Sequence, residues 1–307
     1  MMRKFLFLAY LLFTSCAHVL STEFSANIDS SQVIPFDEAR QDTTTARSPA
    51  LYKFTKDDRQ LWYLASSHGT DSTSDTFKFI RHVFNLQKID IVIVEGFETD
   101  LGINPRAISS YIFEGKKDTF YPNGESSFAI ENAIIKNVPF IGGEPSDKDI
   151  YKSILEKNYS AQDVIGFNFV RRIPQLKRSG LITNLSSIEP QFSSYLKTKQ
   201  KDFGIKDIKF TFEDFKNWYK NKQGKDLSLE SGEKGETAPM DGPYFTQKIS
   251  KVITTIRDEH ILKTINGLLK KYRNVFIAYG SSHYRVEHKT LKAALGEPKE
   301  IDLRDVQ

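Results

Sequence analysis

Short apolar runs alternate with amphipathic stretches along most of the chain. Leu61-Trp62-Tyr63-Leu64-Ala65 reads as a strand, and Ser74 to Leu86 follows as a helix bearing Phe77, Phe79, Ile80 and Val83. Ile91-Val92-Ile93-Val94 is a continuous β-branched run, the pattern of a strand covered on both faces. Ser126 to Asn137 predicts a helix with Phe128, Ile130, Ile134 and Ile135. Pro139-Phe140-Ile141 is a third short strand, and Asp147 to Lys157 a helix. Ala161 to Trp218 is mainly helical. Phe245 to Tyr272 is a long amphipathic helix, Val275 to Tyr279 a fourth strand, and Glu287 to Leu295 a closing helix. Strand and helix alternate, which predicts an α/β fold: a largely parallel central sheet flanked by helices, with a helical insertion or cap at about 161–220.

Two stretches lack this periodicity. Residues 17–48 are rich in Ser, Thr, Asp and Gln and predict a flexible tether. Residues 221–241 hold Gly, Lys, Glu and Ser and predict a flexible surface loop.

The first residues have a different pattern. Met1-Met2-Arg3-Lys4 is a short basic segment, and Phe5 to Phe13 is almost wholly apolar. That run is too short to span a bilayer and suits the core of a signal peptide over 1–16. It ends at Phe13-Thr14-Ser15-Cys16, and Cys16 is the only cysteine. The segment resembles a bacterial lipobox, with Phe13 where such boxes usually carry Leu. Acylation of Cys16 would make an exported, membrane-anchored lipoprotein, and Ala17 after it favours an outer membrane. The alternative is a plain secretory signal cleaved further on.

Composition adds limits. With 39% hydrophobic and 27% charged residues, the chain has the balance of a folded domain. Its formal charge of +4 is small, and Lys and Arg are scattered, which gives no reason to invoke nucleic acid.

Chemistry gathers where the strands end. The first runs into Ser66-Ser67-His68-Gly69, the second into Glu95-Gly96, the third into Gly142-Gly143-Glu144-Pro145, and the fourth into Gly280-Ser281-Ser282-His283. Parallel sheets place their sites beyond the carboxyl ends of the strands. Two imidazoles and two carboxylates are therefore expected on one rim. A lone His or Glu at such a place is commonly a capping or surface group; four together argue for a site. The repeated Ser-Ser-His suggests paired roles. The serines lack the Gly-x-Ser-x-Gly elbow of a Ser–His hydrolase.

In the long helix, Ile253, Arg257 and Ile261 are four residues apart, so Arg257 falls in the apolar stripe. It either pairs with a buried carboxylate or faces a cavity as a cation for substrate. His260 lies beside it.

These motifs resemble the TraB/PrgY/GumN family, part of a wider group with the Tiki proteases, erythromycin esterase and the haem-binding ChaN lipoproteins. The resemblance rests on Ala65-Ser66-Ser67-His68, Val94-Glu95-Gly96, Gly143-Glu144-Pro145, the Arg257 helix and Tyr279-Gly280-Ser281-Ser282-His283. Ala65 stands where the family pattern has Gly. Gly124-Glu125 is similar to a Gly-Glu pair of some relatives. The resemblance implies one domain over 49–307, with the histidines and glutamates in one cleft that hydrolyses a peptide or ester.

In that reading His68, His283 and one or both of Glu95 and Glu144 hold a divalent ion (zinc, manganese, cobalt or iron). A glutamate not bound to the ion, Glu95 or Glu144, would be the general base; Arg257 would face the developing oxyanion, with Glu125 and His260 as further candidates. The competing expectation is a protein that captures haem, a small ligand or a peptide without turnover.

Overall fold

The computed structural model describes residues 24–42, 47–86, 88–99, 112, 114–205, 208–233 and 235–305. The expected signal segment and Cys16 lie outside the described residues. The architecture is α/β, as the alternation predicts. Six strands form one sheet: β1 (Ala50–Lys56), β2 (Arg59–Ser66), β3 (Ile91–Glu98), β4 (Phe140–Glu144), β5 (Asn274–Gly280) and β6 (Lys299–Ile301). Their order is β4-β3-β5-β2-β1-β6. The four strands from β4 to β2 run parallel, whereas β1 is antiparallel to both β2 and β6.

Strict alternation sorts the sheet's side chains onto two covered faces. Leu64, Val92, Val94 and Phe276 meet Phe77, Ile80, Val83 and Phe128 on one face. These come from α2 (Asp75–Leu86) and α3 (Gly124–Ile135), after α1 (Phe36–Gln41). Tyr63, Ile91, Ile93, Ile277 and Tyr279 meet Ile261, Leu262, Ile265 and Leu291 on the other. The continuous β-branched run of β3 is thus explained, since both sets of its side chains are buried. Ile134 and Ile135, expected in that core, are exposed instead, because they fall on the outer side of the last turn of α3.

Between β4 and β5 come α4 (Asp147–Glu156), α5 (Ala161–Arg178), α6 (Ile188–Asp202), α7 (Phe212–Gln223) and the long α8 (Phe245–Leu269). The first turns of α5 and α7 are set by capping boxes, Ser160 with Asp163 and Thr211 with Asp214. Helices α5 to α7 bury Phe169, Phe192, Phe215 and Trp218 in a core of their own, which also takes Ile249 and Ile253 of α8. Helix α8 therefore carries the cap on one part of its surface and the sheet on another. No helix among the described residues is long and apolar enough to cross a membrane.

Two expectations of flexibility are corrected. In the supposed tether, Phe24, Ala26 and Ile28 are buried against the sheet–helix core. Ile28 N–H donates to Asn266 Oδ1 at 3.2 Å. The segment is held by apolar burial at every second residue, a strand-like period hidden among polar neighbours. The expected 221–241 loop starts inside α7; from 224 to 233 and 235 to 241 it forms no helix or strand, yet its buried Glu236 accepts from Tyr219 Oη at 2.7 Å and Gly232 N at 2.9 Å. A buried carboxylate with several donors fixes the loop around it.

Candidate active site

Parallel pairing puts Ser66 of β2 beside Gly280 of β5, and β3 beside both β4 and β5. The carboxyl ends of these strands therefore share one edge, and His68, Glu95, Glu144 and His283 emerge there. The last helix, α9, spans Ser281–Leu295 rather than starting at Glu287. It begins directly after β5, so His283 sits in its first turn and not in a loop.

Glu95 is the centre. The β3–β4 register shifts between Val94 and Glu98, and Gly96 there has φ +83°, a region open to glycine. This irregularity turns the Glu95 carboxylate toward β5. Its Oε2 accepts from Gly280 N at 2.6 Å and lies 3.8 Å from His68 Nε2. Its Oε1 lies 3.6 Å from His283 Nε2 and accepts from Arg257 Nη2 at 3.2 Å. A Cβ at Gly280 would stand 2.9 Å from His68 Nε2 and 3.0 Å from Glu95 Oε2, so the close approach needs glycine.

Each imidazole is braced from behind by a carboxylate. His68 Nδ1 pairs with Glu125 Oε1 at 2.6 Å. His283 Nδ1 pairs closely with Asp258 Oδ1. A carboxylate at Nδ1 fixes the tautomer and leaves Nε2 free to act. The hydrogen bond from Glu125 is the main cause that raises the His68 pKa above 6.5, with burial opposing it and the Glu95 charge adding to it.

Behind Asp258 lies Glu287, wholly buried, with its Oε2 accepting from Tyr63 Oη at 2.8 Å. Burial and then the charge of Asp258 push the Glu287 pKa well above the ordinary carboxylate value. Glu287 Oε1 and Asp258 Oδ2 are both buried with no other partner. A side-chain hydrogen bond with Asp258 adds to the rise in the Glu287 pKa. Asp258, His283 and Glu287 also present ligand atoms within 4.8 Å of one another, and this group could hold a metal ion.

Arg257 resolves the question its position in the apolar stripe raised. Its Nε and Nη2 each donate to Glu144 at 2.6 Å, a bidentate clamp. Burial opposes the Arg257 charge, but the bonds and charge of Glu144 outweigh it and raise the pKa. Burial likewise opposes the Glu144 charge, yet the bonds and charge of Arg257, then Tyr279 Oη at 2.8 Å, lower its pKa to about 2. Glu144 Oε1 further accepts from Gly96 N at 3.3 Å. Both its oxygens are engaged, and Glu144 holds Arg257 in place.

His260 lies elsewhere. Its Nε2 meets Thr99 Oγ1 at 2.9 Å, and it lines a separate hollow with Pro145, Asp149 and Lys263. One helical step from Arg257 turns it away from the cleft. Burial lowers its pKa. Asp258 and Glu287 are not among the expected site residues, because both lie on helices rather than at strand ends. Their signal is the spacing itself: Asp258 follows Arg257, and Glu287 lies four residues after His283.

The cleft over these groups has a volume of about 250 Å³ and is bounded by Phe36, Thr237, Pro239 and Ile253. A second, more open hollow of about 540 Å³ lies on the far side of His68 and Glu95, with Gly69, Phe97, Pro122 and Asn123. Two braced imidazoles, a central carboxylate and a clamped guanidinium suit activation of water and stabilisation of an anion. Comparison with family models, curated proteins and solved structures finds no match to the chain.

Proposed function

We propose that the cleft hydrolyses an acyl bond, in a peptide or an ester, in a protein exported to the cell envelope and anchored through an acylated Cys16. The observation that carries this reading is that His68 and His283 both turn Nε2 toward Glu95 while a carboxylate braces each Nδ1. The resemblance to the TraB/PrgY/GumN and Tiki proteins supports the same reaction class.

The donors fit a divalent ion. Two imidazole nitrogens, each with its second nitrogen on a carboxylate, are the arrangement common around zinc and its neighbours. His68 Nε2 and His283 Nε2 would hold zinc, manganese, cobalt or iron on the cleft side, with Glu95 left beside the ion as the base. The Asp258–His283–Glu287 group is the poorer host, because it is buried and its Asp258 Oδ1 and Glu287 Oε2 are already bonded. A bound ion supplies a water of lowered pKa and polarises the acyl oxygen.

The chain's own groups do the rest. Glu95 takes the proton from the attacking water and returns it to the departing atom. Asp258 and Glu125 keep each Nδ1 protonated and each ring in place. Arg257, oriented by Glu144, keeps Nη1 without a partner among the described residues, and this atom faces the developing oxyanion.

The test uses the full-length protein. Elemental analysis should find a transition metal, and peptide or ester pools should be cut by wild type but not by His68→Ala or His283→Ala. Equal activity in both variants would remove the hydrolytic reading. Saturable haem or peptide binding without cleavage would support capture instead. Mass spectrometry of the mature N-terminus tests the lipid on Cys16.

A further inference from the structure

Among the arginines near the cleft, Arg171 of α5 stands apart. Arg257 spends three bonds on Glu144 and Glu95. Arg172, next in the chain, lies over the Tyr195 ring at 5.5 Å. Arg171 makes no hydrogen bond or ion pair with any described residue, yet it lines the cleft beside Glu95, Arg257 and His283. It is solvent-exposed. The protein crowding it, and then the charge of Arg257, lower its pKa, while Glu144 and Glu95 oppose the shift. A guanidinium stays charged despite such pressure. The nearby carboxylates do not neutralise it by contact, because their oxygens are taken by Arg257, Tyr279 and backbone N–H groups.

The shape of the site adds a second observation. His68 and Glu95 stand between the closed cleft of about 250 Å³ and the open hollow of about 540 Å³. The closed side falls below the range of ~300–1,000 Å³ usual for a whole ligand, so it suits one terminal unit. Phe36, Pro239 and Ile253 give it an apolar part among mostly polar lining residues.

Building on the hydrolytic reading, we infer that Arg171 is a carboxylate receptor, and that the site removes one apolar, carboxylate-bearing unit from the end of a peptide. The acyl portion lies in the open hollow and the leaving unit in the closed cleft. The oxygen of water bonds to the acyl carbon, and the bond from that carbon to the leaving nitrogen breaks. One water proton passes to that nitrogen, which departs as an amine, and the other is released to solvent as the acyl portion ionises to a new carboxylate.

The experiment compares N-acetyl-Ala-Ala-Phe with its C-terminal amide on the full-length protein, and titrates 3-phenylpropionate and its amide by calorimetry. A charge-assisted bond predicts a preference for the free acid of about 10- to 100-fold, in KM rather than kcat. Arg171→Gln should erase it, Arg171→Lys keep part of it, and Arg171→Glu reverse it. Phenylpropionate, which has no scissile bond, should bind wild type at least about tenfold more tightly than Arg171→Gln, given the same bond. Phenylpropionate binding through Arg171 without peptide cleavage would sink hydrolysis and keep the receptor. Equal cleavage of acid and amide, or equal phenylpropionate affinity in wild type and Arg171→Gln, would overturn the inference.

Discussion

His68 and His283 follow neighbouring parallel strands and share a Ser-Ser-His sequence, yet their surroundings differ. His68 leaves β2 in a loop, and its side chain is 64% exposed; His283 sits in the first turn of α9 and is 6% exposed. One brace, Glu125, lies at the start of α3 beside the open hollow. The other, Asp258, is backed by Glu287 and Tyr63 in a dry interior. A shared local sequence thus fixes where an imidazole leaves a sheet, while distant helices decide how firmly it is held. The His283 side is built for position. The His68 side leaves room for movement and for substrate.

Asp258→Asn should break this contrast most strongly. The amide no longer requires an N–H at Nδ1 of His283, and kcat/KM should fall by ~10²–10⁴-fold, the span of general acid–base effects. Steady-state rates on any cleaved peptide or ester measure it; a loss below tenfold would mean that His283 does not depend on its brace.

Next comes the clamp between the two sides. Glu144 has a folded pKa of about 2, below its ordinary 4.5. Its stabilisation is therefore full above pH 4.5 and fades as pH falls from there through about 2. Glu144→Gln should lose roughly 3 kcal/mol at pH 7 and much less near pH 3. Urea midpoints at the two pH values test the sign, and a gap that does not shrink in acid would refute it.

Glu125→Gln should lower activity by about 10- to 100-fold, the usual effect of losing a hydrogen-bonding partner behind a ligand. It should barely move the melting temperature, because His68 is exposed. Gly280→Ala is the gentlest probe. Its backbone (φ −58°, ψ 141°) accepts alanine, but the new methyl presses on His68 and Glu95. Rates should drop by less than the ~100-fold that a 1 Å displacement can cause, with folding intact. Activity equal to wild type would show that His68 needs no fixed distance from Glu95.

The sequence made much of this visible, for physical reasons. The strand β3 is legible because burial on both faces forces an unbroken β-branched run, and Arg257 because a cation in an apolar stripe is conspicuous. Glu125 showed through the Gly-Glu pair that opens α3. Strand β1 escaped notice, since Lys53 and Thr55 interrupt its apolar residues and its register comes from pairing with β2. The early start of α9 was hidden by Ser281 and Ser282, which read as loop but here form a helix N-terminus at the sheet edge. Asp258, Glu287 and Tyr63 meet only after three elements pack, and no local pattern announces that meeting. Arg171 was equally silent: on the helix surface it looks like any solvated charge.

The segment before β1 bears on how the protein is to be handled. Gln32 and Ile34 hydrogen-bond to Thr290 and Val286 of α9, Asp37 pairs with Lys251 of α8, and Phe36 forms one wall of the closed cleft. Trimming the chain to start at Pro49 would look harmless on a hydropathy plot. It would strip a wall from the cavity and uncover the apolar face that Phe24 and Ile28 protect, leaving a sticky, leaky protein whose silence in an assay says nothing about the intact one.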